Sequence, residues 1–256
     1  MLDLKNKVVF LTGAASGIGA ETGRILGEAG AMVIGHYRAP EERAGAEKSL
    51  AAIPADRKTL LEADFADLAQ VDKLWDDAVA WKGHVDVLVL NAATLLWGGL
   101  DDPEDVWEAS WMPQFQINTM APAQLMRAAV RHYLTRGGGI IITIASWNAH
   151  RGATNPGQIA YTASKAAVKS AAQTIARVYA KNQVLSYIIS PGVVRTRMSV
   201  EFAQAQGGEE KVTANLAMGE WVPPEEIGHL IAFLSTGKVR HLTGATLDVN
   251  GASYLR

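Results

Sequence analysis

Tyr161 and Lys165 stand four residues apart in the run IAYTASKAAV, and Ser146 closes the apolar run GIIITIAS fifteen positions earlier. On a helix, positions i and i+4 share a face, so the phenol and the ammonium point into the same space. An ammonium beside a phenol stabilises phenolate and draws its pKa down from about 10, toward the range where proton transfer is efficient. With the Ser146 hydroxyl alongside, the three groups could move a proton at a carbonyl or alcohol oxygen. Each also has a plain alternative when read singly: a helix-face aromatic, a solvated cation, a strand-end cap.

Such a device needs a rigid frame. Apolar, β-branched runs that read as strands occupy 7–12, 31–37, 58–64, 85–93, 139–146, 184–190 and 245–251. Being apolar on both faces, they suit a parallel sheet covered by helices on each side. Helix-like stretches fill the gaps at 21–30, 40–52, 68–82, 121–135, around Tyr161 and at 223–235. Asp-Pro at 102–103 and Pro-Pro at 223–224 mark helix starts, where a missing N–H costs nothing. The helix carrying Tyr161 is rich in alanine, which suits close packing on the sheet and on a partner subunit. No linker, repeat or low-complexity tract divides the chain, so the alternation predicts one doubly wound α/β domain over 1–256.

Directly after the first strand comes TGAASGIG, residues 12–19, with Gly13, Gly17 and Gly19. Glycines at a strand-to-helix turn allow close backbone approach, and the helix N-terminus then offers free N–H groups to a pyrophosphate. That placement predicts a dinucleotide site.

Composition narrows the field. The 256 residues carry 24 Lys plus Arg against 26 Asp plus Glu, a net charge of −2, so no global basic field invites nucleic acid or anionic membrane. There are no cysteines, which excludes disulfides, thiolate metal sites and cysteine nucleophiles. No histidine and carboxylate spacing suggests a metal site. The opening MLDLKNKVVFLTG does not read as a secretion signal, and the apolar runs fall short of the roughly 20 residues a membrane span needs. A soluble cytoplasmic protein is expected.

Taken together, TGAASGIG, LNAA at 90–93, Asn118, Ser146, the Tyr161-x3-Lys165 pair and SPGVVRT at 190–196 resemble, in order and spacing, the short-chain dehydrogenase/reductase family. The resemblance runs from about residue 5 to 251. It implies a Rossmann fold with a seven-stranded parallel sheet, assembled as a homotetramer or homodimer. It also implies that Tyr161 is the general acid/base, that Ser146 fixes the reacting oxygen, and that Lys165 lowers the phenol pKa and holds the nicotinamide ribose. Asn118 matches the residue that anchors a water-borne proton relay to Lys165.

The cofactor residues implied by the resemblance are Gly13, Ser16, Gly17, Ile18 and Gly19 at the turn, with Tyr161 and Lys165 at the nicotinamide end. Asp64 and Phe65 match the adenine site, Asn91 and Ala92 the adenosine ribose, and Pro191, Gly192, Val194 and Thr196 the carboxamide loop. At the end of the second strand, Tyr37 occupies the usual acidic position with Arg38 beside it. NADP(H) is therefore favoured over NAD(H). Substrate contacts are expected from Ser146, Trp97, Trp147, His150 and Met198, with Thr94, Leu95, Phe202, Met218 and Trp221 nearby and a substrate-loop segment at about 193–222. These residues suggest a bulky, apolar or aromatic carbonyl compound. Two departures stand out: the family's NAG reads Asn91-Ala92-Ala93, and WMPQF at 111–115 places Pro113 where a kink is expected before Asn118.

The activity implied is interconversion of a ketone and a secondary alcohol on a small molecule. The main alternative is a 3-oxoacyl-[acyl-carrier-protein] reductase, for which Arg127, Arg131 and Arg136 could meet an acidic carrier. From another class comes an NADP-sensing protein without catalysis, although such relatives lose the tyrosine or lysine kept here.

Overall fold

The computed structural model describes residues 2–205 and 207–255. Seven parallel strands form one sheet: β1 (Val8–Leu11), β2 (Met32–Tyr37), β3 (Lys58–Glu62), β4 (Val87–Leu90), β5 (Gly139–Ile144), β6 (Val184–Pro191) and β7 (Thr246–Val249). Their order across the sheet is β3-β2-β1-β4-β5-β6-β7. The helices are α1 (Gly17–Glu28), α2 (Arg43–Ser49), α3 (Leu68–Lys82), α4 (Glu104–Phe115), α5 (Ala121–Arg136), α6 (Asn148–Arg151), α7 (Ile159–Tyr179), α8 (Arg197–Ala205), α9 (Glu209–Ala214) and α10 (Pro224–Ser235). Every strand expected from the sequence is present within two or three residues of its predicted ends.

The two-residue period of a strand sorts each strand's side chains between two separate cores. Val9, Leu11, Val87, Val89, Ile140 and Ile142 face the layer of α1 and α10, where Ile25, Leu26, Ile227 and Ile231 cover them. Val8, Phe10, Leu88 and Ile141 face the opposite layer, against Leu74 and Trp75 of α3, Leu125 and Ala129 of α5 and Val168 and Ala172 of α7. That double burial is why the strands read as continuous apolar runs. The alanines of α7 serve this packing: Ala160, Ala172 and Ala176 are buried.

Helix boundaries follow local chemistry. The Asp67 side chain accepts from the Ala69 N–H and starts α3. Pro103 and Pro224 stand at the starts of α4 and α10. Pro113 lies inside α4, and the expected kink takes the form of a π-helical turn over Gln116–Met120 that leads straight into α5. Among the described residues, no helix is long and apolar enough to cross a membrane.

The strand order reverses at β1, which has β2 on one side and β4 on the other. In open α/β sheets such a reversal opens a crevice outside the carboxyl ends of the strands. Thr12, Asn91, Ser146 and Gly192 all lie just beyond strand carboxyl ends, so the fold itself gathers the sequence motifs.

Candidate active site

A cleft of about 400 Å³ runs along that crevice from the glycine turn to Ser146, Tyr161 and Lys165. At one end the turn is shaped for a pyrophosphate. Gly13 has φ +70°, a left-handed conformation costly for other residues, and a Cβ on Gly19 would overlap the carbonyl oxygen of Gly13. Ser16 stands at the N-cap of α1 without turning its hydroxyl onto the first-turn N–H groups, which leaves those donors for an anion. These features fit the phosphates of a nicotinamide dinucleotide.

Polar ties hold the turn in place. The Thr12 hydroxyl accepts from the N–H groups of Asn91 (2.9 Å) and Ala92 (3.0 Å), and the Asn91 amide donates to the carbonyls of Thr12 and Gly13. His36 adds another tie: its Nδ1 accepts from the Gly13 N–H at 3.1 Å and its Nε2 donates to the Ala63 carbonyl at 2.8 Å. These roles require neutral imidazole, and burial pulls its pKa down to about 4. Its ring stacks on Phe65 with centroids 4.5 Å apart. One buried histidine thus links the turn to the Asp64–Phe65 segment expected at the adenine.

The second strand's end differs from expectation at one residue. Tyr37 is buried away from the cleft and bonded to Glu62 and Arg43. The alternation of β2 explains this, since His36 and Tyr37 must point to opposite faces and His36 takes the cleft. Arg38 does line the cleft, but Glu42 lines it too and holds Arg38 at both ends: Nη2 lies 2.9 Å from Oε1, and the backbone N–H donates to Oε2 at 3.1 Å. The cation expected for a 2′-phosphate therefore carries its own carboxylate.

At the other end, α7 presents Tyr161 and Lys165 on one face beside Ser146 at the end of β5. Ser146 and Lys165 are buried. The Lys165 ammonium donates to the carbonyl of Ile144 at 2.9 Å and sits 5.9 Å from the centre of the Tyr161 ring. Burial pushes the phenol up to about 12, while the Ser146 hydroxyl bonded to it works in the opposite direction. Burial pulls Lys165 down to about 8. One ammonium N–H goes to the Ile144 carbonyl, and removal of the phenol from water is the larger influence on Tyr161.

Asn118 is buried in the π-helical turn and its amide is fully engaged. Oδ1 accepts from the Thr94 N–H at 2.9 Å, while Nδ2 donates to the Thr94 carbonyl at 2.9 Å and to Ser164 Oγ at 3.1 Å. Ser164 in turn donates to the Tyr161 carbonyl at 2.7 Å. With both amide hydrogens used, the side chain ties the loop after β4 to the turn of helix that carries Tyr161.

Of the remaining expected cofactor residues, Gly13, Ser16, Gly17, Ile18, Asp64, Phe65, Asn91, Ala92, Pro191, Gly192, Val194 and Thr196 line the cleft, whereas Gly19 lies beneath the turn. A smaller cavity of about 100 Å³ adjoins Ser146 and Tyr161 and takes Trp147 and Met198 into its wall. Trp97 stands one layer back, stacked on Phe202 with centroids 6.0 Å apart. His150 lies against Lys169, its Nδ1 2.9 Å from Nζ, and lines neither cavity. Trp221 is buried in the 193–222 segment, donating to Thr213 Oγ1. Met218 is exposed.

Thr12, His36, Glu42 and Ser164 escaped the reading of the sequence. A histidine in an otherwise apolar strand was a legible signal for His36. The roles of the others come from tertiary contacts that no local spacing reports. Among the described residues, no group of histidines and carboxylates could hold a metal ion.

Comparison with known proteins places the fold in a family. A family model described as Enoyl-(Acyl carrier protein) reductase matches residues 13–252. The 3beta-hydroxysteroid dehydrogenase 1 of Eggerthella lenta is 32% identical over 259 residues, covering 99% of this chain and 95% of that protein. The 2,3-dihydro-2,3-dihydroxybenzoate dehydrogenase of Escherichia coli is 30% identical over 262 residues, covering 99% of each. A 3-oxoacyl (acyl-carrier-protein) reductase from Agrobacterium tumefaciens C58, solved with NADP bound, superposes with a TM-score of 0.86 at 28% identity, covering 98% of this chain and 95% of that one. With a seven-stranded parallel sheet, a glycine turn at its switch point and relatives matched over almost their whole length, this chain belongs to the short-chain dehydrogenase/reductase family.

Proposed function

We propose that the protein interconverts a ketone and a secondary alcohol with a nicotinamide dinucleotide, using NADP(H) ahead of NAD(H). The observation that carries this reading is the meeting of Ser146, Tyr161 and Lys165 in the same cleft as the glycine turn. When bound, the dinucleotide supplies or takes up the hydride. Ser146 donates to the carbonyl oxygen and fixes its place beside the Tyr161 phenol. Tyr161 gives that oxygen a proton in reduction and takes one from the alcohol in oxidation. A phenol held at about 12 is fully protonated at neutral pH, which suits the reducing direction. Lys165 contributes positive charge next to the phenol, so that phenolate is stabilised as the proton leaves. Asn118 and Ser164 hold this turn of α7 in register.

For the cofactor, Arg38 in the cleft supports NADP(H), as does the lack of a carboxylate at Tyr37. Glu42 restrains that cation and offers an acceptor for ribose hydroxyls, which supports use of NAD(H) as well. Met198, Ser199 and Phe202 of α8 line the substrate end. Exposed Met112, Met120 and Val178 support assembly into two or four copies, and the protein is proposed to work in the cytoplasm. The relative with NADP bound supports one second reading, a 3-oxoacyl-carrier-protein reductase. A panel of ketones, secondary alcohols and 3-oxoacyl thioesters, followed by nicotinamide absorbance with both cofactors, tests the proposal. Turnover of free ketones supports the main reading, thioesters alone the second, and no turnover at all contradicts both.

A further inference from the structure

The small cavity beside Ser146 and Tyr161 has a mixed lining: Leu95, Met198 and Phe202 are apolar, while Asn148, Arg151 and Gln158 are polar. Arg151 is the unusual member. Its guanidinium lies 4.0 Å over the Trp147 ring and 5.8 Å from that of Tyr254. Arg24, Arg38, Arg43, Arg195 and Arg197 each pair with a glutamate, but among the described residues no carboxylate meets Arg151. Partial burial lowers its pKa, although the residue as a whole is exposed. Asn148 is buried with Oδ1 unpartnered, an acceptor open to a hydroxyl or other donor.

We propose that the substrate is an oxo acid, or the matching hydroxy acid, whose carboxylate pairs with Arg151 while its carbonyl meets Ser146 and Tyr161. This rests on the ketone–alcohol reading above and names the class of compound it acts on. A guanidinium stacked on an indole keeps its N–H edge free, and a carboxylate meets that edge through two parallel hydrogen bonds. The unpartnered Asn148 Oδ1 can accept from a hydroxyl of the substrate. The apolar side chains take the hydrocarbon part, so the expectation of an apolar body is kept and a charge is added. A neutral substrate would leave that N–H edge to water and gain nothing from it.

The test compares acids with their own esters. Benzoylformate, acetoacetate and levulinate are assayed against their methyl esters, with dihydroxyacetone phosphate as the phosphate-bearing control. The expected result is a kcat/KM at least about tenfold higher for some acid than for its ester, the scale of a hydrogen-bonded charge. That ratio should fall toward one in Arg151→Gln and be partly restored in Arg151→Lys. Calorimetry supplies a readout free of turnover: benzoate should bind at least about tenfold more tightly than benzamide, with the difference lost in Arg151→Gln. Equal treatment of acids and esters, or a ratio unchanged in Arg151→Gln, overturns the proposal. Preference for the phosphate ester overturns its commitment to carboxylate. Should Arg151→Gln not fold, the two wild-type comparisons decide. Neutral ketones turned over without acid preference would sink this inference and leave the ketone–alcohol reading standing. Selective benzoate binding with no carbonyl turned over would do the reverse.

Discussion

The Lys165 ammonium donates to the Ile144 carbonyl at 2.9 Å, tying the cation of α7 to the strand end that delivers Ser146 two residues later. The three chemical groups are thereby held by one backbone contact rather than by chance proximity. Burial sets their electrostatics. Lys165, pulled down to about 8 by burial, changes charge near neutral pH, while Tyr161, pushed up to about 12, does not.

Ketone reduction should therefore be nearly flat on the neutral side and fall as pH rises through about 8, where the Lys165 ammonium is lost. Tyr161 stays protonated across that window and contributes no limb of its own. In Lys165→Arg the cation persists beyond about pH 12, so the alkaline fall should move upward. The pH profile of kcat/KM for both proteins checks this. An alkaline limb at the same midpoint in an active Lys165→Arg variant would assign it to another group.

Cofactor choice should respond to Glu42 as well as to Arg38. Glu42→Gln removes the carboxylate held 2.9 Å from the Arg38 guanidinium and frees that cation for a 2′-phosphate. The ratio of kcat/KM for NADPH over NADH should rise by about tenfold, the scale of one charge-assisted hydrogen bond. Arg38→Ala should lower it. A ratio indifferent to both changes would show that the 2′ position is read elsewhere.

His36→Ala removes the partner of the Gly13 N–H and of the Ala63 carbonyl, leaving buried groups unpaired at roughly 1–3 kcal/mol each. The variant should melt lower and bind dinucleotide more weakly. The sign with pH also follows. The folded-state pKa of about 4 lies below the reference near 6.5, so the unfolded chain binds the proton first. Stability from neutral His36 is complete above about 6.5 and is lost as pH falls toward about 4. Thermal melting across that range should show a shallower acid loss in the variant than in the wild type. Equal slopes would assign the acid sensitivity to other groups.

Gly19→Ala places a Cβ against the Gly13 carbonyl, a clash with backbone that no rotamer relieves. Dinucleotide affinity and melting temperature should both fall. A variant that binds cofactor as tightly as the wild type would show that the turn does not cradle the pyrophosphate.

Much of this was written locally. The strands showed as apolar runs because parallel strands are buried on both faces, and the glycine turn because its backbone conformation restricts residue type. Tyr161 and Lys165 showed because helical spacing alone aligns them. What stayed hidden depends on which distant groups meet. The sequence places Arg38 and Glu42 four apart without revealing that both face the cleft, and nothing near Tyr37 says that His36 takes its place there. The same holds for the phenol: adjacency to Lys165 is local, but the burial that pushes its pKa up is a property of the whole fold. Pro113 signalled a disturbance, and only the fold shows that it resolves as a π-helical turn with Asn118 inside.

The central claim is that Tyr161 moves the proton when hydride is transferred in this cleft. Steady-state reduction of the best ketone by wild type and Tyr161→Phe, with dinucleotide affinity measured on both, tests it most directly. The account predicts a fall in kcat/KM of about a hundred- to ten-thousandfold, with cofactor affinity little changed. A phenylalanine variant that reduces the ketone within a few-fold of the wild type would contradict it.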